Sequence, residues 1–357
     1  MNRSHIHYWK CDRPAAFHGT ETQTDIENLR PQILTLLQSF HPGLTINLTD
    51  GGGQGNHRTF IADIGQEQRF VRIEDGPEQD DYIETESRVQ ESVRAAGVPT
   101  PRVYQEDASR HKYPFAWQIM EVISHPDLNH WHKQGKLDLG HTAHEIGAAI
   151  AQWQKVPVAG YGPFQSGKDK LTGYHTHYAD YFLLNLDRHL TFLTEKHFLS
   201  TAESQEIRQA ITDHDFLLSL PQGCLVHKDL ALWNILGTEN HIAAFIDWDD
   251  SISGDPMDDF SLLACFHDGS VIAQALAGYT KITPLPTEYR RRFWLHLLRN
   301  MIVKAVIRVG AGYFDRSDDF FLISSGSNGS DLRTLTRSRL RTALHGLLHD
   351  HEIHTLK

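Results

Sequence analysis

The chain has 357 residues, 40% of them hydrophobic, enough to bury a substantial core and to build two lobes. Its formal charge of −11 argues against a nucleic-acid-binding protein, because phosphate backbones demand a basic surface; it would suit a cationic substrate, although acidity also serves solubility alone. The three cysteines, Cys11, Cys224 and Cys265, have no paired short spacing, which suggests neither a disulfide framework nor a thiolate zinc site.

The opening Met1–Pro14 carries His, Lys, Asp and Arg where a secretion signal needs an apolar run. No stretch approaches the roughly 20 apolar residues of a membrane span, so a cytoplasmic protein without membrane contact is expected. Residues 1–25 read as an extension with no assignable function. From about Thr45 the texture is β-type, in the runs Thr45–Leu48, Thr59–Asp63, Arg69–Ile73 and Phe115–Val122, which predict a small antiparallel sheet. Between them Asp81–Ala96 has helical spacing, with Ile83, Val89 and Val93 on related faces, and Gly97-Val98-Pro99-Thr100-Pro101 stops it. After Pro126 the pattern is mainly helical: Thr142–Lys155, Tyr178–Glu195, Ala202–Leu218, Thr287–Arg308 and Asp331–Leu348. Two apolar runs interrupt it, Cys224–His227 and Ile242–Ile246, each followed by acidic residues, as buried strands that present carboxylates to a cleft would be. His345, His349, His351 and His354 read as a solvated tail rather than a metal face.

The decisive segment runs Leu225-Val226-His227-Lys228-Asp229-Leu230-Ala231-Leu232-Trp233-Asn234, followed by Phe245-Ile246-Asp247-Trp248-Asp249-Asp250. Phosphoryl transfer asks a protein for a carboxylate that orients the attacking hydroxyl and for oxygen ligands that hold magnesium on the phosphates. Asp229 can supply the first, Asn234 and Asp247 the second, in the same layout as a kinase catalytic loop. Gly254-Asp255-Pro256-Met257-Asp258-Asp259-Phe260 follows at short range, so that Asp247, Asp249, Asp250, Asp255, Asp258 and Asp259 concentrate carboxylates with no basic residue among them.

These blocks resemble the aminoglycoside phosphotransferase and choline kinase superfamily, where they typically read His-Gly-Asp-Leu-x-x-x-Asn, Ile-Asp-Trp and Gly-Asp-Pro-x-x-Asp. The resemblance implies a bilobal protein-kinase-like α+β fold, with a small antiparallel-sheet lobe and a larger, mainly helical one. It further implies that Asp229 is the catalytic carboxylate, that Asn234 and Asp247 bind magnesium and that His227 supports the loop. Asp255 and Asp259 would then be structural.

In the N-terminal part, Asp50-Gly51-Gly52-Gly53-Gln54-Gly55-Asn56 lies between two predicted strands, where glycines let backbone N–H groups approach phosphates. In the superfamily such a hairpin covers the nucleotide, which implies roles for Gly53, Gly55 and Asn56. Glu86, ahead of Val98-Pro99-Thr100-Pro101, is similar to the helix glutamate that anchors a phosphate-binding lysine. The strand Arg69-Phe70-Val71-Arg72-Ile73 offers Arg72 instead, which is planar and permanently charged. That arginine and Gly160-Tyr161-Gly162-Pro163-Phe164 resemble the hygromycin B phosphotransferase type. The backbone at Met120, Glu121 and Val122 would hold the adenine edge. Trp233, where smaller residues are common, either stacks on substrate or caps the core.

The expectation is therefore an ATP- and Mg-dependent O-phosphotransferase with residues 26–122 as nucleotide lobe and 123–357 as catalytic and substrate lobe. The leading acceptor is an aminoglycoside-type cationic antibiotic, with acidic residues such as Asp315, Asp318 and Asp319 near the cleft. The alternatives are a sugar, amino alcohol or homoserine-like metabolite as acceptor, or a nucleotide-binding regulator without catalysis. A protein kinase is disfavoured because no Ala-Pro-Glu segment follows Asp247.

Overall fold

A computed structural model describes residues 2–13, 16, 26–52, 57–76, 78–316, 322 and 329–357. The small lobe is a five-stranded antiparallel sheet in the order β1-β2-β3-β5-β4, formed by β1 (Ile46–Asp50), β2 (Arg58–Ile64), β3 (Glu67–Glu74), β4 (Val103–Asp107) and β5 (Ala116–Glu121). Alternation decides its register: Phe60, Ala62 and Ile64 of β2 point into the core with Val71 and Ile73 of β3, while Arg72 and Glu74 of β3 are buried on the opposite face. The four strands expected from the sequence are present, and β4 is an addition whose polar run Val103-Tyr104-Gln105-Glu106-Asp107 hides its edge-strand role.

Two short or medium helices precede or cross this sheet: α1 (Trp9–Asp12) and α2 (Ile26–Phe40). The second was not expected. Its Leu29, Ile33, Leu36 and Leu37 form a helical stripe that fills the core under the sheet with Phe60, Val71 and Phe115. The helix α3 (Tyr82–Ala95) follows the expected span, but its Val89 and Val93 pack into the large core rather than the small one.

The large lobe contains α4 (Leu128–Lys133), α5 (Leu139–Trp153), α6 (Tyr178–Phe182), α7 (Leu186–Glu195), α8 (Thr201–Asp213), α9 (Asp258–Leu263), α10 (Gly269–Thr280), α11 (Tyr289–Gly310) and α12 (Gly329–His349). The helix expected over Tyr178–Glu195 is broken: Asn185 sits at φ 60° and its Nδ2 donates to His5 O at 2.9 Å. Asn tolerates that left-handed backbone better than most residues, so the break falls there. The helix expected over Ala202–Leu218 ends at Asp213, and Asp215–Leu218 continues as a 3₁₀ turn. Helix α10, which the sequence reading omitted, packs tightly on α5, where a Cβ on Gly147 would lie 1.8 Å from Ala275 O.

Six further strands lie around the candidate site segments: β6 (Tyr161–Phe164), β7 (Gly173–His175), β8 (Cys224–Val226), β9 (Ile235–Thr238), β10 (His241–Phe245) and β11 (Ile252–Gly254). They form a β7-β6-β11-β8 sheet and a separate β9-β10 hairpin. No helix among the described residues is long and apolar enough to cross a membrane.

Candidate active site

Strand β8 delivers His227, Lys228 and Asp229 to its C-terminal end, and β9 starts directly after a 3₁₀ turn at Leu232–Asn234. The loop between is held by hydrogen bonds at nearly every residue. Asp259, at the start of α9, accepts from the N–H groups of His227 at 3.1 Å and Lys228 at 3.2 Å and from Trp153 Nε1 at 3.1 Å. Lys228 adopts φ 69°, a left-handed conformation costing a bulky residue about 1–3 kcal/mol. Its buried ammonium offsets this by donating to Asp258 Oδ2 at 2.7 Å and Asn300 Oδ1 at 3.1 Å. Asp255 in turn pairs with Arg292 at 2.5 Å.

His227 has a structural assignment from its two nitrogens. Nδ1 accepts from the Asp229 N–H at 3.3 Å, so the proton is on Nε2, which donates to Ile246 O at 3.0 Å. Burial pushes its pKa down to about 4, so it is a neutral clamp between the catalytic loop and the residue preceding Asp247. The second clamp is the Ile246 N–H, which donates to Asn234 O at 3.0 Å. These two bonds bring Asp229, Asn234 and Asp247 together. Asn234 Nδ2 donates to Asp229 O at 2.8 Å and to its Oδ2 at 3.2 Å.

Asp229 is half-buried, and desolvation by itself would raise its pKa, yet it is held down at about 2 by Lys304 and by the hydroxyl of Tyr8. Lys304 Nζ lies 2.9 Å and Tyr8 Oη 2.6 Å from Oδ1. Neither residue was singled out in the sequence, since no local motif marks a lysine 75 residues downstream or a tyrosine 221 residues upstream of Asp229.

Asp247 follows β10 at φ 66°, a backbone strain that a functional carboxylate tolerates. Burial first, then Asp249, pushes its pKa well above the ordinary range, and burial with neighbouring carboxylates also raises Asp249 and Asp250, the last to about 8. The donor set of Asp247 carboxylate and Asn234 amide oxygen fits a hard divalent cation, and the raised carboxylates mark a place short of positive charge.

Above these residues stands Arg72 on β3. Its Nη1 donates to both oxygens of Glu86 at 2.6 Å, and its Nη2 lies 3.9 Å from Asp247 Oδ1. Burial opposes its charge, but Glu86, Asp247 and Asp249 outweigh that and keep it protonated. Glu86 also accepts from the Trp248 N–H at 3.2 Å, so one carboxylate ties the nucleotide sheet to the metal loop. An arginine performs this bridging with a planar fork where a lysine would have one ammonium.

At the glycine-rich hairpin, Gly51 N–H donates to Thr59 O at 2.9 Å and Gly52 is left-handed at φ 69°. Gly53, Gly55 and Asn56 lie outside the described residues, as do Asp318 and Asp319, while Asp315 is exposed. Of the hinge residues, Met120 is buried in β5 with its sulfur near Gln90, and the Glu121 N–H is already committed to Arg102 O at 2.9 Å. Val122 lies just past the strand end. Trp233 meets the Phe266 ring edge-on with centroids 4.8 Å apart.

The sequence profile described as "Phosphotransferase enzyme family" matches residues 49–294. No curated protein matches significantly. Solved structures with the same fold include a thermostable mutant of aminoglycoside phosphotransferase APH(4)-Ia, 16% identical with a TM-score of 0.60, covering 86% of this chain and 98% of that one. A protein described as a fructosamine-3-kinase from Haemophilus somnus is 15% identical with a TM-score of 0.59, over 86% and 96% of the two chains. The streptomycin–ATP ternary complex of APH(2")-IIa is 16% identical with a TM-score of 0.56, over 92% and 99%. At these identities the likeness shows the bilobal kinase-like fold.

Proposed function

The chain belongs to the phosphotransferase enzyme family, and on that premise we propose that it transfers the γ-phosphoryl group of ATP, with magnesium, to a hydroxyl of a small molecule. The observation that carries the reading is the Arg72–Glu86 pair reaching to within 3.9 Å of Asp247, beside the clamped pair Asp229 and Asn234. Asp229 orients the acceptor hydroxyl and takes its proton. Asn234 and Asp247 hold the magnesium, which when bound neutralises charge on the transferring group. Arg72 fixes Glu86 and presents its second nitrogen toward the phosphates. Gly53, Gly55 and Asn56 would cover them, and the backbone around Met120, Glu121 and Val122 would take the adenine edge, with Val122 the residue whose N–H the sheet does not use.

For the acceptor, the net charge of −11 and neighbours solved with hygromycin B and streptomycin support a cationic aminoglycoside-type antibiotic. A metabolite acceptor with no positive charge beside its reacting hydroxyl is the second reading, and a specific observation favours it. Lys304 already places an ammonium 2.9 Å from the catalytic carboxylate, where a second cation would be repelled. The deciding measurement is coupled ADP release over aminoglycosides, hygromycin B, choline, homoserine, fructosamines and neutral sugars, at low and moderate salt. A cationic acceptor shows a KM that rises with salt; a neutral one does not. ATP binding without ADP release for any acceptor would leave only the regulator alternative.

A further inference from the structure

Residues 3–12, to which the sequence assigns no function, are built into the catalytic centre. Arg3 is buried, donating from Nη1 to Asp249 O at 2.7 Å and from Nη2 to Asp80 Oδ2 at 2.5 Å, with its guanidinium over the rings of Tyr82 and Trp9. The Trp9 N–H reaches Asp250 Oδ1 at 3.4 Å. His7 stacks on Tyr181, and Tyr181 Oη donates back to His7 O at 2.9 Å. The Asp12 carboxylate accepts the N–H groups of His7 and Tyr8 at 2.9 and 3.0 Å and pairs with His189 and Arg188 of α7. The segment is therefore fastened to the metal loop on one side and to the helical lobe on the other, with Tyr8 between the two anchors and only 4% exposed.

Between them, Tyr8 Oη donates to Asp229 Oδ1 at 2.6 Å, and Lys304 Nζ donates to the same oxygen at 2.9 Å and to Tyr8 Oη at 3.1 Å. We propose that Tyr8 and Lys304 are positioning residues for Asp229, which occupy Oδ1 and fix the carboxylate so that Oδ2 is presented to the acceptor hydroxyl. This rests on the kinase reading given above. The terminal torsion of an aspartate is broad and roughly two-fold, so a free carboxylate would offer either oxygen at varying angles. Two donors on Oδ1 use its two lone pairs. On Oδ2 the described side chains place only Asn234 Nδ2, at 3.2 Å, from an amide whose shorter bond goes to the Asp229 carbonyl. An acceptor hydroxyl can join that oxygen without displacing either donor.

The geometry also separates this role from that of a removable plug. Lifting Tyr8 away would break the buried Arg3–Asp80 pair and the Asp12 hydrogen bonds together, which makes the segment part of the folded core.

Tyr8→Phe tests the role, because it deletes the hydroxyl and keeps the ring. With an acceptor identified by the ADP-release panel, kcat is expected to fall roughly 10- to 100-fold, the loss a small misplacement of a reacting group brings. The KM for ATP should stay within about twofold, since the lesion is on the acceptor side. Unchanged kcat would reduce Tyr8 to packing, increased kcat would make the segment a plug, and phosphotyrosine at residue 8 after incubation with Mg-ATP would make the hydroxyl an acceptor; each overturns the proposal. A thermal double-mutant cycle between Tyr8→Phe and Asp229→Ala reads the link without catalysis. Non-additive Tm shifts support it and additive shifts overturn it, even if the wild-type protein releases no ADP with any acceptor, a result that would instead sink the kinase reading.

Discussion

The Asp229 loop and the Asp247 loop, the proposed catalytic and metal loops, lie side by side and are both built around aspartates, with the Asp229 side chain 19% exposed and that of Asp247 44%, yet they are charged in opposite ways. At Asp229 the protein supplies its own compensation, Lys304 and Tyr8, and the carboxylate is held near 2 against the effect of burial. At Asp247, Asp249 and Asp250 burial and mutual repulsion win, and the carboxylates are pushed up in spite of Arg72 and Arg3. On the proposed reading, the group that would act on the acceptor is thus finished by the fold alone, whereas the groups that would hold a cation remain short of positive charge. The difference gives each loop a distinct signature under mutation.

The largest effect should fall on turnover. Asp229→Ala is expected to lower kcat by about 10³-fold or more while nucleotide affinity stays within about fivefold, because this carboxylate meets the acceptor and not ATP. Steady-state ADP release and calorimetric nucleotide binding on the same preparation check it. Retained turnover would remove Asp229 from the chemistry and erase the contrast between the loops.

The next effect concerns the bridge from the small-lobe sheet to the Asp247 loop. Glu86→Ala would leave buried Arg72 with no close carboxylate, only the 2.8 Å contact to His57 Nδ1 and the longer ones to Asp247 and Asp249, so about 3 kcal/mol of stability should be lost, read by denaturant unfolding. Smaller still, Asp247→Ala should weaken magnesium-dependent nucleotide binding by about tenfold and leave binding in EDTA unchanged. Equal loss in both conditions would mean that Asp247 acts through folding rather than through a cation.

Much of this site was legible in sequence, for a physical reason. Residues that share one loop, such as His227, Asp229 and Asn234, have their spacing fixed by local backbone, and an apolar strand before Asp247 reports that the carboxylate emerges from the core. Arg72 and Glu86 were paired only through resemblance, and the structure supplies the contact, from one guanidinium nitrogen to both carboxylate oxygens. What stayed hidden depends on chain crossing: Tyr8 and Lys304 meet at Asp229 from opposite ends of the sequence, and nothing local distinguishes them from other tyrosines and lysines. The same holds for Lys228, whose ordinary side chain conceals a left-handed backbone secured by Asp258 and Asn300. The helix at Ile26–Phe40 is a different case. Its stripe of Leu29, Ile33, Leu36 and Leu37 is readable, but Pro31 within it masks the pattern.

The smallest effect is the most direct test of the charge contrast, and it lies in the pH dependence of stability without ligand. A carboxyl whose folded pKa is raised keeps a proton that the unfolded chain has lost above about pH 4, so its contribution to stability disappears as pH rises through the folded value. For Asp250 that value is about 8. Asp229 has the opposite sign: with a folded value of about 2, its contribution is intact above about pH 4 and is lost only in strong acid. Buried neutral histidines such as His227 and His267, both at about 4, favour the fold increasingly as pH approaches the unfolded value of about 6.5 and are constant above it. Between pH 7 and 9 the loop at Asp250 titrates together with the upper part of Glu74 and Asp259, both pushed up to about 7 by burial, so its share is read from the response to magnesium. In EDTA the Tm should fall by about 2 °C or more across that window. Magnesium should flatten the slope, as should Asp250→Asn, which removes the titrating group. Buried thiols also titrate upward with pH, but magnesium does not relieve them, so the difference between the EDTA and magnesium curves isolates the carboxylates. Superimposable curves would show that the metal loop is already balanced by Arg72 and Arg3, and that the two loops do not differ in the way described.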